Sequence, residues 1–147
     1  MKSNRFGYRQ LLISSVAFIS VTFFMSSFAF GASYDGIDGF SGGTIIDDEL
    51  YIATERPSGE GRTACASKTI SSGYDQSDVT VSFSARGHSG VDSIVRIDGK
   101  QFHQDPGPGE FTNTVQSENF SVQLCLIQTW KHSDPANIFY SNVRIDV

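Results

Sequence analysis

Three histidines, one tryptophan and two cysteines carry most of the chemical capacity of this 147-residue sequence. Two of the histidines sit in a repeated form, His103-Gln104-Asp105-Pro106 and His132-Ser133-Asp134-Pro135, and Trp130 lies just ahead of the second. Converging imidazoles and carboxylates suit zinc or another divalent ion, which would make the chain a metal-dependent hydrolase. The same residues also suit a sugar, whose apolar C–H faces lie on flat rings while Asp, His, Gln and Arg bond its hydroxyls. Trp130, Phe102, His103, Asp105, His132 and Asp134 form such a set. No H-E-x-x-H segment, cysteine cluster, Ser/His/Asp constellation or phosphate loop accompanies them, so binding without covalent chemistry is the expectation.

Cys65 and Cys125 form an even pair, which in an oxidising compartment reads as one disulfide. The competing reading is a catalytic thiol, which would leave the other cysteine unexplained.

These side chains must be positioned by strands, because period-two alternation recurs and no stretch after the first 32 residues holds helical spacing over three turns. Val79, Val81, Phe83 and Ala85 alternate with polar residues, as do Phe120, Val122, Leu124 and Leu126. Phe139, Val143, Ile145 and Val147 share one parity, with Tyr140, Asn142, Arg144 and Asp146 on the other. Asp98-Gly99 marks a hairpin, because both turn positions favour positive φ. Residues 104–110, rich in Pro and Gly, read as loop. The expected fold is an all-β antiparallel sandwich, a jelly roll of about eight or nine strands. Cys65 and Cys125 fall on the polar parities of their strands, so the bridge is expected on an outer sheet face between neighbouring strands.

Strands joined by short turns run antiparallel, and counting reversals assigns each loop to an end. Residues 55–62, 86–90, 104–110 and 129–137 gather opposite the Asp98-Gly99 turn, bringing His88, His103, His132 and Trp130 together. A second candidate binding set lies on outward-facing strand positions: Arg96, Gln101, Gln123, Tyr140, Asn142 and Arg144.

Two segments carry a family resemblance. Asp38-Gly39-Phe40-Ser41-Gly42-Gly43, followed by residues 46–52, resembles the glycine-rich opening of jelly-roll carbohydrate-binding modules and the wider galactose-binding-like superfamily. Phe139-Tyr140-Ser141-Asn142-Val143-Arg144-Ile145 resembles their closing strand, commonly Y-I-D-N-V-R-I. The resemblance implies a lectin-like fold and carbohydrate recognition. The family's closing Asp, which often contributes to a structural calcium site, is Ser141 here, a much poorer calcium ligand. No cofactor is therefore expected, although Asp38, Asp47, Asp48 and Asp146 leave calcium open.

The first 32 residues carry Lys2, Arg5 and Arg9, no acidic residue, an apolar run from Leu11 to Phe30, and then small residues. This is the layout of a secretory signal peptide of bacterial type, leaving residues 33–147 as one domain. Its removal takes three of eleven basic residues and none of sixteen acidic ones, moving the formal net charge from −5 to −8. Such a surface repels phosphate backbones and anionic lipid, which argues against nucleic acid and against membrane-surface binding, and no membrane insertion is expected once the leader is gone. The expected molecule is a secreted or periplasmic binding module whose partner is a glycan. The alternative is a protein surface, recognised by a toxin subunit, inhibitor or adhesin component.

Overall fold

The computed structural model describes residues 31–55, 60–130 and 135–147. Residues 1–30 of the expected leader, and His132 and Asp134 of the second H-x-D-P segment, lie outside the described residues. Ten strands follow in order: β1 (Ser33–Asp35), β2 (Thr44–Ile46), β3 (Glu49–Ala53), β4 (Thr63–Ser71), β5 (Ser77–Gly87), β6 (Val91–Ile97), β7 (Lys100–Gln104), β8 (Pro108–Val115), β9 (Asn119–Gln128) and β10 (Asn137–Asp146). The two beyond the expected count are the three-residue strands β1 and β2, too short to show alternation.

One sheet runs β2-β3-β10-β5-β8, with β1 also on β10; the other runs β4-β9-β6-β7. Every pairing is antiparallel. From β3 onward the partners are nested: β3 with β10, β4 with β9, β5 with β8 and β6 with β7. This is one long two-stranded ribbon, hinged at the β6–β7 turn and wrapped so that alternate rungs fall in opposite sheets. The arrangement is the jelly roll, two sheets closed over one core.

The hairpin at Asp98-Gly99 forms as the dipeptide predicts, with φ of 51° and 81°. Asp47 and Asp48 make the β2–β3 turn at φ of 49° and 61°; a short polar side chain tolerates this left-handed region. Gly42 serves a close approach, since a Cβ there would lie 2.6 Å from the Cys65 carbonyl oxygen. That contact lets Ser41 bridge Ser67 and cover the free edge of β4.

Alternation places the core as expected in β5 and β9: Val79, Val81, Phe83, Ala85, Phe120, Val122, Leu124 and Leu126 are all buried. The pairing of β10 departs from expectation. Its register against β5 shifts between Ser141 and Arg144, and Asn142 within the shift has φ of 51°. This β-bulge inserts one residue and reverses the facing of everything before it. Tyr140 is therefore in the core at 0% exposure and Phe139 is on the outside, whereas Val143 and Ile145 face inward as predicted. The segment 104–110 is corrected too, because Gln104 ends β7 and residues 108–110 begin β8. Pro108 is tolerated there as the first residue of an edge strand, where no ladder donor is needed.

Glu49 and Arg86 tie β3 to β5 across the outer face of the larger sheet, with Arg86 Nε 3.1 Å and 3.0 Å from the two carboxylate oxygens. The guanidinium also lies over the Phe139 ring at 3.8 Å. Hydrogen bonding from Arg86 holds the Glu49 carboxyl below its ordinary range. A lowered folded-state pKa stabilises above the unfolded value and is lost as pH falls through the folded one. Wild-type protein should accordingly exceed Glu49→Gln in stability at neutral pH, by the small margin usual for a solvent-exposed pair. The gap should close as Glu49 protonates, and urea titrations at a series of pH values check this.

Candidate functional site

The β4-β9-β6-β7 sheet turns odd-numbered residues of β4, β9 and β7 and even-numbered residues of β6 outward. Register sets them in rows. Ser67, Gln123, Arg96 and Gln101 form one row across all four strands; Cys65, Cys125, Ile94 and His103 form the next; Thr63, Ile127 and Asp92 form a third.

The disulfide joins directly opposed residues of β4 and β9, with Cα atoms 4.0 Å apart. It lies on the outer face between neighbouring strands, where parity placed it. Arg96 lies beside it, Nη1 3.6 Å from Cys65 Sγ and 4.0 Å from Cys125 Sγ. The guanidinium is held on both flanks, Nε donating to Gln101 Oε1 at 3.0 Å and Nη1 to Gln123 Oε1 at 3.1 Å. One row along, His103 Nε2 is 2.7 Å from Asp92 Oδ2. Four predicted side chains, Arg96, Gln101, Gln123 and His103, thus share one surface.

The loops converge at one end as the reversal count requires. Gly61 N donates to Gln128 O, Gln128 N to Arg62 O, Thr129 N to Gly90 O, Thr54 N to Ala136 O and Ala85 N to Gly107 O, tying segments 60–62, 86–90, 105–107, 129–130 and 135–136 together. Trp130 projects there at 57% exposure, and Asp105 is exposed at the same end. An open groove of about 540 Å³, lined by Thr54, Glu55, Arg62 and Thr63 among others, occupies this end between β3 and β4.

Several expectations are corrected. Phe102 is not a loop-end residue facing ligand; it sits in mid-hairpin on the core side of β7, stacked on Phe111 at 4.8 Å, where the two rings help close the gap between the sheet edges. Tyr140 is not outward-facing. Its hydroxyl donates to the Cys125 carbonyl at 2.5 Å and is 2.6 Å from Ser93 Oγ, and burial pushes its pKa well up. Asn142 and Arg144 belong to the larger sheet, so they do not join Arg96, Gln101 and Gln123. Arg144 Nε bonds both Asp146 oxygens, at 2.9 Å and 3.0 Å.

Sequence reasoning passed over Asp92. The signal was present, since Val91, Ser93, Val95 and Ile97 form an inward set that leaves Asp92 on the parity of Arg96.

Among the described residues no group of three or more His, Cys, Asp or Glu side chains is placed to hold a metal ion. Of the residues considered for calcium, Asp146 is engaged by Arg144, while Asp47 and Asp48 are the two turn residues between β2 and β3. No helix among the described residues is long and apolar enough to cross a membrane.

No family model matches the sequence. No curated protein matches it either. Solved structures similar to this chain include the CBM36-1 domain of a multidomain xylanase from the hindgut metagenome of Trinervitermes trinervoides, at 19% identity over 78% of this chain and 95% of that one, with a TM-score of 0.42. Another, described as CBM4 structure and function, has 16% identity over 81% and 80%, with a TM-score of 0.44. A third is the Podospora anserina GH26-CBM35 beta-(1,4)-mannanase, at 12% identity over 76% of this chain and 27% of that one, with a TM-score of 0.38.

Proposed function

We propose that this chain is a small exported domain, secreted or periplasmic once its leader is removed, that recognises carbohydrate without covalent chemistry. The surface used is the outer face of the β4-β9-β6-β7 sheet together with the adjoining loop end. The row Ser67, Gln123, Arg96 and Gln101 carries this reading. Sugar hydroxyls both donate and accept, and a rigid sheet supplies hydroxyl, amide and guanidinium groups at fixed spacing for them. Such preformed polar arrays lose little conformational entropy on binding. Trp130, exposed at the loop end two residues beyond β9, supplies the flat apolar surface on which a pyranose stacks.

Trp130 is the sole tryptophan, so its emission reports directly on the loop end. Titration of neutral and acidic oligosaccharides should shift that emission, and Trp130→Ala should weaken affinity by roughly tenfold, about 1.4 kcal/mol, measured calorimetrically. An unchanged affinity would move the site away from the loop end. Absence of both heat and emission change across the panel would remove the carbohydrate reading altogether.

A second reading, recognition of a protein surface, draws on Ile45 and Ile46, which are 52% and 40% exposed on the edge strand β2. Loss of a captured partner on Ile45→Lys, with sugar titrations silent, would favour it.

A further inference from the structure

We infer, resting on the carbohydrate reading above, that the glycan recognised at this face is acidic and that Arg96 reads its negative group. Three arginines on the sheets can be compared. Arg86 is neutralised by Glu49, and Arg144 by Asp146 with Asp35 nearby. Arg96 has no carboxylate within ion-pair distance among the described residues; its partners are two amide oxygens and two sulfurs. None of these four atoms carries a charge.

Placement strengthens the contrast. No other lysine or arginine occupies an outward position of this sheet among the described residues: Lys68 and Lys100 fall on the inward parity of β4 and β7, with their ammonium groups over Tyr34, Phe40 and Phe102. The one carboxylate at an outward strand position of this sheet, Asp92, pairs with His103. In a chain of formal net charge −5, an unneutralised and immobilised guanidinium is a local positive point in a negative field. Nη2 makes no hydrogen bond to any described residue and is not a buried unpartnered atom, so its N–H donors remain available from a group whose other nitrogens are clamped. Arginine held this way matches a planar or multi-oxygen anion better than a neutral hydroxyl, because charge-assisted bonds are roughly twice as strong. A uronate carboxylate and a sugar sulfate ester share that chemistry.

The test compares matched pairs by calorimetry on the full domain. One pair is a galactose oligomer and the galacturonate oligomer of the same length; the other is a galactose oligomer and its sulfate ester. At least one acidic member should bind about tenfold more tightly than its neutral match, and this preference should shrink as salt rises from about 0.05 M to about 0.5 M. The arm showing the gain identifies the anion. Arg96→Gln should weaken the acidic member about tenfold more than its neutral match, removing the preference, and Arg96→Lys should keep part of it, with folding of both variants checked by thermal unfolding. Equal binding of neutral and acidic members by the wild type would overturn the inference and leave the carbohydrate reading intact; that comparison requires no variant. A preference surviving in folded Arg96→Gln would also overturn it. Silence toward every sugar would overturn both.

Discussion

Replacing Cys65 and Cys125 together with alanine will destabilise the domain by roughly 4 kcal/mol, on chain-entropy arithmetic for the loop that the bridge closes. The loop spans a sequence separation of 60. At this chain length that corresponds to a fall of about 10–20 °C in the midpoint of thermal unfolding, read by calorimetry. The cross-link acts on the unfolded ensemble, because β4 and β9 are already zipped along nine opposed residue pairs in the native state. A second effect is local. Arg96 packs against both sulfurs, so the double variant loses one wall of the guanidinium clamp and affinity for acidic sugar should fall even where the protein remains folded. A midpoint unchanged in the double variant would mean that the unfolded chain gains nothing from release of the loop.

Tyr140→Ala should cost about 3–5 kcal/mol, the range for removing a large buried ring. Tyr140 is fully buried and meets Phe83 edge-on at 5.4 Å. Tyr140→Phe isolates the hydroxyl and should cost about 1–3 kcal/mol, because the Ser93 hydroxyl and the Cys125 carbonyl lose their partner in a dry interior. Urea unfolding measures both. Burial raises the phenol pKa above its ordinary 10.0, so the folded protein keeps this proton while unfolded chains release theirs. Stability should decline as pH climbs past the unfolded value, and Tyr140→Phe should remove that share of the decline. Neither variant should alter sugar affinity in the folded protein. A specific loss of affinity in folded Tyr140→Phe would mean that the buried hydroxyl positions the outer face through the Cys125 carbonyl.

Much of the framework is readable from the residues. Uninterrupted alternation in 79–85 and 120–126 fixes which side of β5 and β9 is apolar, Asp98-Gly99 fixes the hairpin, and the reversal count then brings four loops to one end without further information. The cysteine parities follow from the same alternation, which is why an outer-face bridge between neighbouring strands could be anticipated. What escapes is anything that depends on a single inserted residue. Asn142 looks like one more polar position, yet its left-handed backbone reverses the facing of Phe139 and Tyr140, so that a core tyrosine was counted as a surface ligand. Phe102 misleads for a different reason: period two says which residues share a face, while the partner strand decides whether that face is a wall or an opening. The site was half legible, since parity alone joins Arg96 to Gln101 and Gln123, but the division into two sheets, which removes Asn142 and Arg144 from that group, is set by the wrapping of the whole ribbon.

The nested pairing also dictates when the molecule can assemble. β10 lies between β3 and β5 and is partnered by β1 as well, so until residues 137–146 are in place β1 and the β2–β3 hairpin have no strand to join them to the rest of the larger sheet. Contacts of such long sequence separation are slow to form. The larger sheet is therefore completed only when residues 137–146 dock, whereas the β4–β9 ladder and the covalent staple across it require none of them and can form beforehand.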